Sequence, residues 1–195
     1  MDALALLKKD HQTVEKLFAR FEKNPSKAIA DKFVRELSIH AAVEEQLFYP
    51  AIRKAAEENK LEEADDKVLE ALEEHHVAKW VLSEIEKLDE DDERFEAKCM
   101  VLIESVRHHV KEEEGELFRS VRRLMKRNQL AELGRLMQKA KKIAPTRPHP
   151  RAPDEPPGNL LAGGMAAVMD KGRDMIKGLA NGRARRKSGG REVNA

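Results

Sequence analysis

Two segments of the chain repeat one polar pattern. His40-Ala41-Ala42-Val43-Glu44-Glu45, followed by Leu47-Phe48, matches His109-Val110-Lys111-Glu112-Glu113-Glu114, followed by Leu117-Phe118. A histidine and a glutamate four residues apart share one helix face, so each pair can reach one metal ion or flank two. Two more histidines stand singly, each in the middle of an apolar stripe with three- and four-residue spacing. The stripes are Leu4, Leu7, His11, Val14, Phe18, Phe21 and Val68, Ala71, His75, Ala78, Leu82, Ile85. The paired residues interrupt similar stripes, Ile29, Phe33, Leu37, His40, Glu44, Leu47 and Phe95, Cys99, Leu102, Val106, His109, Glu113, Leu117. One histidine in such a stripe is usually a satisfied core residue. Four imidazoles and two carboxylates in one core are different, because unpaired buried carboxylates cost several kcal/mol each unless something compensates them. The mixed nitrogen and oxygen donor set suits two transition-metal ions, iron foremost, with zinc or manganese compatible by ligand type.

Neighbouring residues compete for these roles. His76 and His108 sit one position off the stripes and are expected behind the ligands or in solvent, as are Glu45, Glu112 and Glu114. Glu112 also follows His108 by four residues and would pair with it if the helix were rotated. Lys79 stands one turn after His75, where another ligand would fit. Tyr49 and Trp80 are expected to pack, and Cys99 to be a small buried hydrophobe with no disulfide partner. A ferritin-like di-iron bundle needs an ExxH pair on each of two helices. Glu73-xx-His76 is the single one offered here, so that reading is set aside.

Long helices must carry these residues. The chain has 195 residues, 37% charged and 4% aromatic, a balance of Lys, Glu, Leu and Ala that favours helix over sheet. The pattern predicts helices over about 2–23, 27–58, 62–88, 94–126 and 129–143. Asn24-Pro25 ends the first, Ser26 can cap the second, Pro50 should kink it, and the acidic run Asp89 to Glu93 is a solvated turn preceding the fourth. In an up-down bundle two residues share a height when the turn lies midway between them. The midpoint of His11 and His40 falls at Pro25-Ser26, that of Glu44 and His75 at Asn59-Lys60, and that of His75 and His109 at Asp92. All three are predicted turns, so the six side chains should converge on one layer. The expectation is all-α: an up-down-up-down four-helix bundle over residues 1–127, a short helix over 128–144 docking through Leu130, Leu133, Leu136 and Met137, and a flexible C-terminal tail over 145–195.

Six prolines crowd between Pro145 and Pro157, as in an extended linker in which His149 is solvated. Leu161, Met165, Val168, Met175, Ile176 and Leu179 form a weak amphipathic face broken by glycines, and Arg183 to Arg191 is a basic end. Residues 146–195 hold ten Lys or Arg against five Asp or Glu, +5, so with a net charge of +1 the first 145 residues carry −4. The body therefore offers no nucleic-acid surface, while the basic tail is free to contact an unidentified partner. No N-terminal apolar run resembles a signal peptide or a membrane span, so the cytoplasm is the expected compartment.

Residues 1–127 resemble the hemerythrin family, in particular its bacterial cation-binding (HHE) branch. The marks are Asp10-His11, the segment from His40 to Pro50, Glu74-His75, and the segment from His108 to Phe118. Carried over by position, the resemblance implies two non-haem iron ions joined by an oxo or hydroxo bridge. His11, His40, His75 and His109 would bind them, and Glu44 and Glu113 would bridge them. Its ligand would be O2, NO or peroxide, bound for sensing or scavenging; peroxide decomposition and iron storage are the alternatives. Oxygen carriers in the family have a fifth histidine where Lys79 stands, and the second bridging acid in those carriers has a different spacing from its histidine; the lysine implies an extra open position at one iron.

Overall fold

A computed structural model describes residues 1–152, and every regular element among them is a helix. The first, α1 (Ala3–Lys23), begins where the Asp2 carboxylate accepts the Ala5 N–H at 2.8 Å and stops before Pro25. The second rod is composite. It consists of α2 (Lys27–Val43), a five-residue π-helical turn (Glu44–Phe48) and α3 (Tyr49–Asn59). Ser26 occupies the cap position of α2 but makes no side-chain cap bond; the Lys27 N–H is instead taken by Glu90 at 2.7 Å, so the acidic turn serves α2. Lys60, at φ 55°, closes α3 in the left-handed region and turns the chain into α4 (Glu62–Ile85). The fourth rod repeats the second, with α5 (Phe95–Glu112), a π-helical turn (Glu113–Leu117) and α6 (Phe118–Leu124).

Pro50 has no N–H to give to the carbonyl four residues back, and the π-helical turn lies immediately before it. Proline is not the cause of that turn, because the second one forms without proline. What the two turns share is an opening pair of acids, Glu44-Glu45 and Glu113-Glu114, the first of each being the glutamate of the HxxxE pair. The wider turn is closed by bonds from Tyr49 N–H to Glu44 O and from Phe118 N–H to Glu113 O.

The four rods close into an up-down-up-down bundle, α1 against α2, α3 against α4, α4 against α5 and α5 against α1. Its interior is split in two. One apolar cluster joins Leu4, Leu7, Phe48, Ile52, Val68, Phe118 and Leu133; the other joins Val14, Phe18, Phe21, Phe33, Leu82, Ile85, Phe95 and Leu102. The polar stripe residues lie between them. A further helix, α7 (Arg127–Ala140), buries Leu130, Leu133, Leu136 and Met137 and crosses α1. Only glycine fits at position 134, since a Cβ there would stand 2.6 Å from the backbone carbon of Asp2. The proline-rich stretch keeps contact with the bundle as far as it is described: Pro148 is buried and Arg147 Nε lies 3.3 Å from Glu86. His149 is exposed. The amphipathic face from Leu161 and the basic end lie outside the described residues. No helix among the described residues is long and apolar enough to cross a membrane.

Candidate metal centre

Each stripe brings its polar residue to the gap between the two apolar clusters. His11 comes from α1, His40 from α2, His75 from α4 and His109 from α5, while Glu44 and Glu113 open the two π-helical turns. All six are buried, Glu44 completely. Donor atoms of His11, His40, Glu44 and Glu113 lie within 4.8 Å of one another, as do those of Glu44, His75 and His109. Glu44 belongs to both groups and so stands between two candidate ion positions.

The ring orientations are set from outside. His11 Nδ1 faces Glu114 at 2.8 Å, His75 Nδ1 faces Glu45 at 3.2 Å, and His109 Nδ1 faces Glu74 at 2.6 Å. A ring that donates its Nδ1–H to a carboxylate presents an unprotonated Nε2 at its other edge. Those Nε2 atoms meet in pairs, His11 with His40 at 3.3 Å and His75 with His109 at 3.3 Å. Where both rings of a pair donate Nδ1–H in this way, as His75 and His109 do, the facing Nε2 atoms are two acceptors with no proton to share, which is the geometry of atoms aimed at a cation. The carboxylates tell the same story. Glu44 Oε2 is 3.0 Å from His40 Nε2 and 3.4 Å from His75 Nε2, and Glu113 Oε2 is 3.3 Å from His11 Nε2. None of these contacts has hydrogen-bonding geometry, leaving both oxygens of Glu44 and one of Glu113 unsatisfied in the interior. Orphaned buried acceptors of this kind are rare and costly, and two cations would satisfy them. The donor set thus fits a pair of metal ions.

Titration follows from the same crowding. Burial, and then the charge of Glu113, pushes the Glu44 carboxyl well above its ordinary value. Burial also opposes ionisation of Glu113, but the imidazoles of His11 and His109 outweigh it and draw that carboxyl down. His75 is lowered by burial against the pull of Glu45, whereas His11 and His109 are raised, Glu113 and Glu74 respectively overcoming their burial.

A family model for the hemerythrin HHE cation binding domain matches residues 2–121, which hold all six side chains. The chain belongs to the hemerythrin family. A hemerythrin-like protein of Schizosaccharomyces pombe is 30% identical over 147 residues, 75% of this chain and 70% of that protein. The crystal structure of a hemerythrin HHE cation binding domain-containing protein from Mycobacterium kansasii shares the fold, with a TM-score of 0.62 and 22% identity over 73% of this chain and 86% of that one.

Several residues of this hemerythrin-family domain have larger parts than their positions suggested. Glu45 is buried, holding His75 on one side and Lys79 Nζ at 3.0 and 3.1 Å on the other. Lys79 is therefore itself a buried ion-pair partner in the layer. Tyr49 is more than packing, since its hydroxyl is 3.3 Å from His75 Nε2 and 3.5 Å from Glu113 Oε1. Burial, then Glu44, pushes that hydroxyl well above its ordinary value and keeps its proton in place. Asp10 and Glu74 flank His11 and His75 in sequence but serve the rings of the adjacent helices, Asp10 facing His40 and Glu74 facing His109. Part of the signal was present, as an acid immediately before His11 and before His75. Its partner is set by helix pairing, which adjacency does not reveal. His108 is exposed, 3.5 Å from Glu112, and His76 accepts the Trp80 indole N–H at 3.2 Å, so neither enters the layer.

Proposed function

We propose that His11, His40, His75 and His109, with Glu44 and Glu113, hold two non-haem iron ions, and that the chain binds O2, NO or peroxide there as a sensor or scavenger. The observation that carries this reading is the meeting of imidazole Nε2 atoms in pairs beside buried carboxylate oxygens with no hydrogen-bond partner. Bound iron would supply one-electron chemistry and a coordination position for a small ligand. The protein does the rest. A cavity beside the four histidines is walled by Val14, Leu37, Leu82 and Val106, which exclude water and admit small apolar molecules. Lys79 lines the same cavity. Its ammonium, held on Glu45, places positive charge next to His75 and favours a ligand that is anionic or becomes so.

That ammonium and the Tyr49 hydroxyl favour a second reading, the disproportionation of two peroxide molecules to oxygen and two waters. Both are protic groups within reach of the layer, and the reaction needs no other reductant. Metal analysis of aerobically purified chain tests the first reading, with two irons per chain expected and a His109→Ala chain that still holds two irons contradicting the ligand assignment. Loss of peroxide well beyond two equivalents per chain would favour turnover over sensing.

A further inference from the structure

Three of the four imidazoles have a carboxylate on Nδ1 within hydrogen-bond distance, but His40 does not. The nearest acid is Asp10, with Oδ2 at 3.8 Å, and His40 Nδ1 is buried without a hydrogen-bond partner. The reason lies outside the region the family model matches. Asp10 Oδ1 is bound by the ammonium of Lys141, the residue that follows the last turn of α7. Elsewhere in the layer a lysine and a histidine share one carboxylate without displacing either, as Lys8 and His11 do on Glu114 and Lys79 and His75 on Glu45. At Asp10 the lysine prevails. Its position is fixed by the burial of Leu136, Met137 and Ala140 and by the close seat of Gly134 on the start of α1. A charge-assisted bond to an ammonium is stronger than one to a neutral ring, so the carboxylate settles toward Lys141.

We propose that Lys141 is a positioning residue of the metal centre, holding Asp10 off His40 and making His40 the weakest donor of the four imidazoles. A ring whose Nδ1–H is taken by a carboxylate is the more basic metal ligand, and loss of such a partner typically weakens metal binding by about 10- to 100-fold. The ion on the His11 and His40 side is then the more weakly held of the two, and α7, beyond the matched domain, sets that inequality. The inference rests on the two-ion reading, and its test separates the two.

The test compares Lys141→Met, Lys141→Arg, the neighbouring exposed Lys142→Met and Asp10→Asn in the full chain. In the metal-free proteins, nitrogen-15 and proton spectra of the imidazoles report each Nδ1–H. Lys141→Met should shift the His40 Nδ1–H downfield and slow its exchange as Asp10 closes, with His11, His75 and His109 unmoved; Lys141→Arg and Lys142→Met should match the unaltered chain. Titration with zinc should then show one of two ions bound about tenfold more tightly in Lys141→Met, and no such gain in a Lys141→Met, Asp10→Asn double variant. A folded Lys141→Met chain with an unchanged His40 signal and unchanged zinc affinities would overturn the proposal. If the unaltered chain took up no zinc or iron, the two-ion reading would fall with its consequence for affinity, while the metal-free spectra would still decide whether Lys141 governs Asp10.

Discussion

Replacing Glu44 by glutamine should have opposite effects on the metal-free and metal-loaded chain. The carboxylate is wholly buried, neither oxygen has a hydrogen-bond partner, and Glu113 stands nearby. Burial first, and Glu113 second, raise its pKa in the folded state above the ordinary 4.5. The sign of the linkage follows. Below about 4.5 both folded and unfolded chains hold the proton and nothing is lost; above it the unfolded chain releases the proton first, so metal-free stability falls as pH rises toward the folded-state value, by up to about 1.4 kcal/mol per pH unit. Glutamine keeps the shape, cannot ionise, and can donate its amide to His40 Nε2, which lies 3.0 Å from the present oxygen. Removing a buried uncompensated charge of this kind is worth about 2 kcal/mol, or roughly 4–8 °C in melting temperature for a chain of this size. With metal the order reverses, since ions at one hundred times their dissociation constant stabilise the unaltered chain by about 2.7 kcal/mol and the variant by less. Thermal melts at pH 5, 6.5 and 8, with chelator and with zinc, measure both arms. The difference between the two proteins carries the titration of Glu44 together with the pull of its charge on His11 and His109, both of which it raises. Coincident metal-free curves at all three pH values would refute the reasoning, for Glu44 would then not be the uncompensated charge.

Gly134→Ala should cost about 2 kcal/mol, because the new methyl meets Asp2 backbone rather than a side chain that can swing aside; chemical denaturation measures it. Lys79→Met leaves Glu45 buried with a lost ion-pair partner and should cost about 3–5 kcal/mol, with part of it recovered in a Lys79→Met, Glu45→Gln double variant. Cys99 is fully buried and burial pushes its thiol up to about 12, so a thiol reagent at pH 8 should label it only after denaturant is added.

The fold was legible because each rod announces itself by an apolar stripe, and the common height of the six polar residues followed from where the turns lie. Helical spacing places a residue on a face but says nothing of how a turn is closed. The π-helical turns at Glu44 and Glu113 were invisible for that reason, and Pro50 drew attention to a kink that its repeat lacks a proline to explain. Glu45 and Glu114 were legible only as charges behind the ligands or in solvent, because 37% of the chain is charged, and Asp10 and Glu74 only as acids that precede a histidine. What distinguishes them is the ring across the interface that each one meets. Tyr49 was placed in the core correctly, but its hydroxyl has a direction that hydropathy does not carry. The seat of Lys141 on Asp10 spans 131 positions, a distance over which spacing rules have no reach.

A bundle whose greasy interior is cut through by a charged plate has two places from which to resist unfolding and one seam where it is weak. Each apolar half is knit by its own aromatics, Phe18, Phe33, Phe21 and Phe95 edge to face at one end and Phe48 against Phe118 at the other. Cations in the seam would rivet the halves into one cooperative unit; stripped of them, the chain should breathe at its waist, with amides around His40 and His109 exchanging with solvent well before those at either pole.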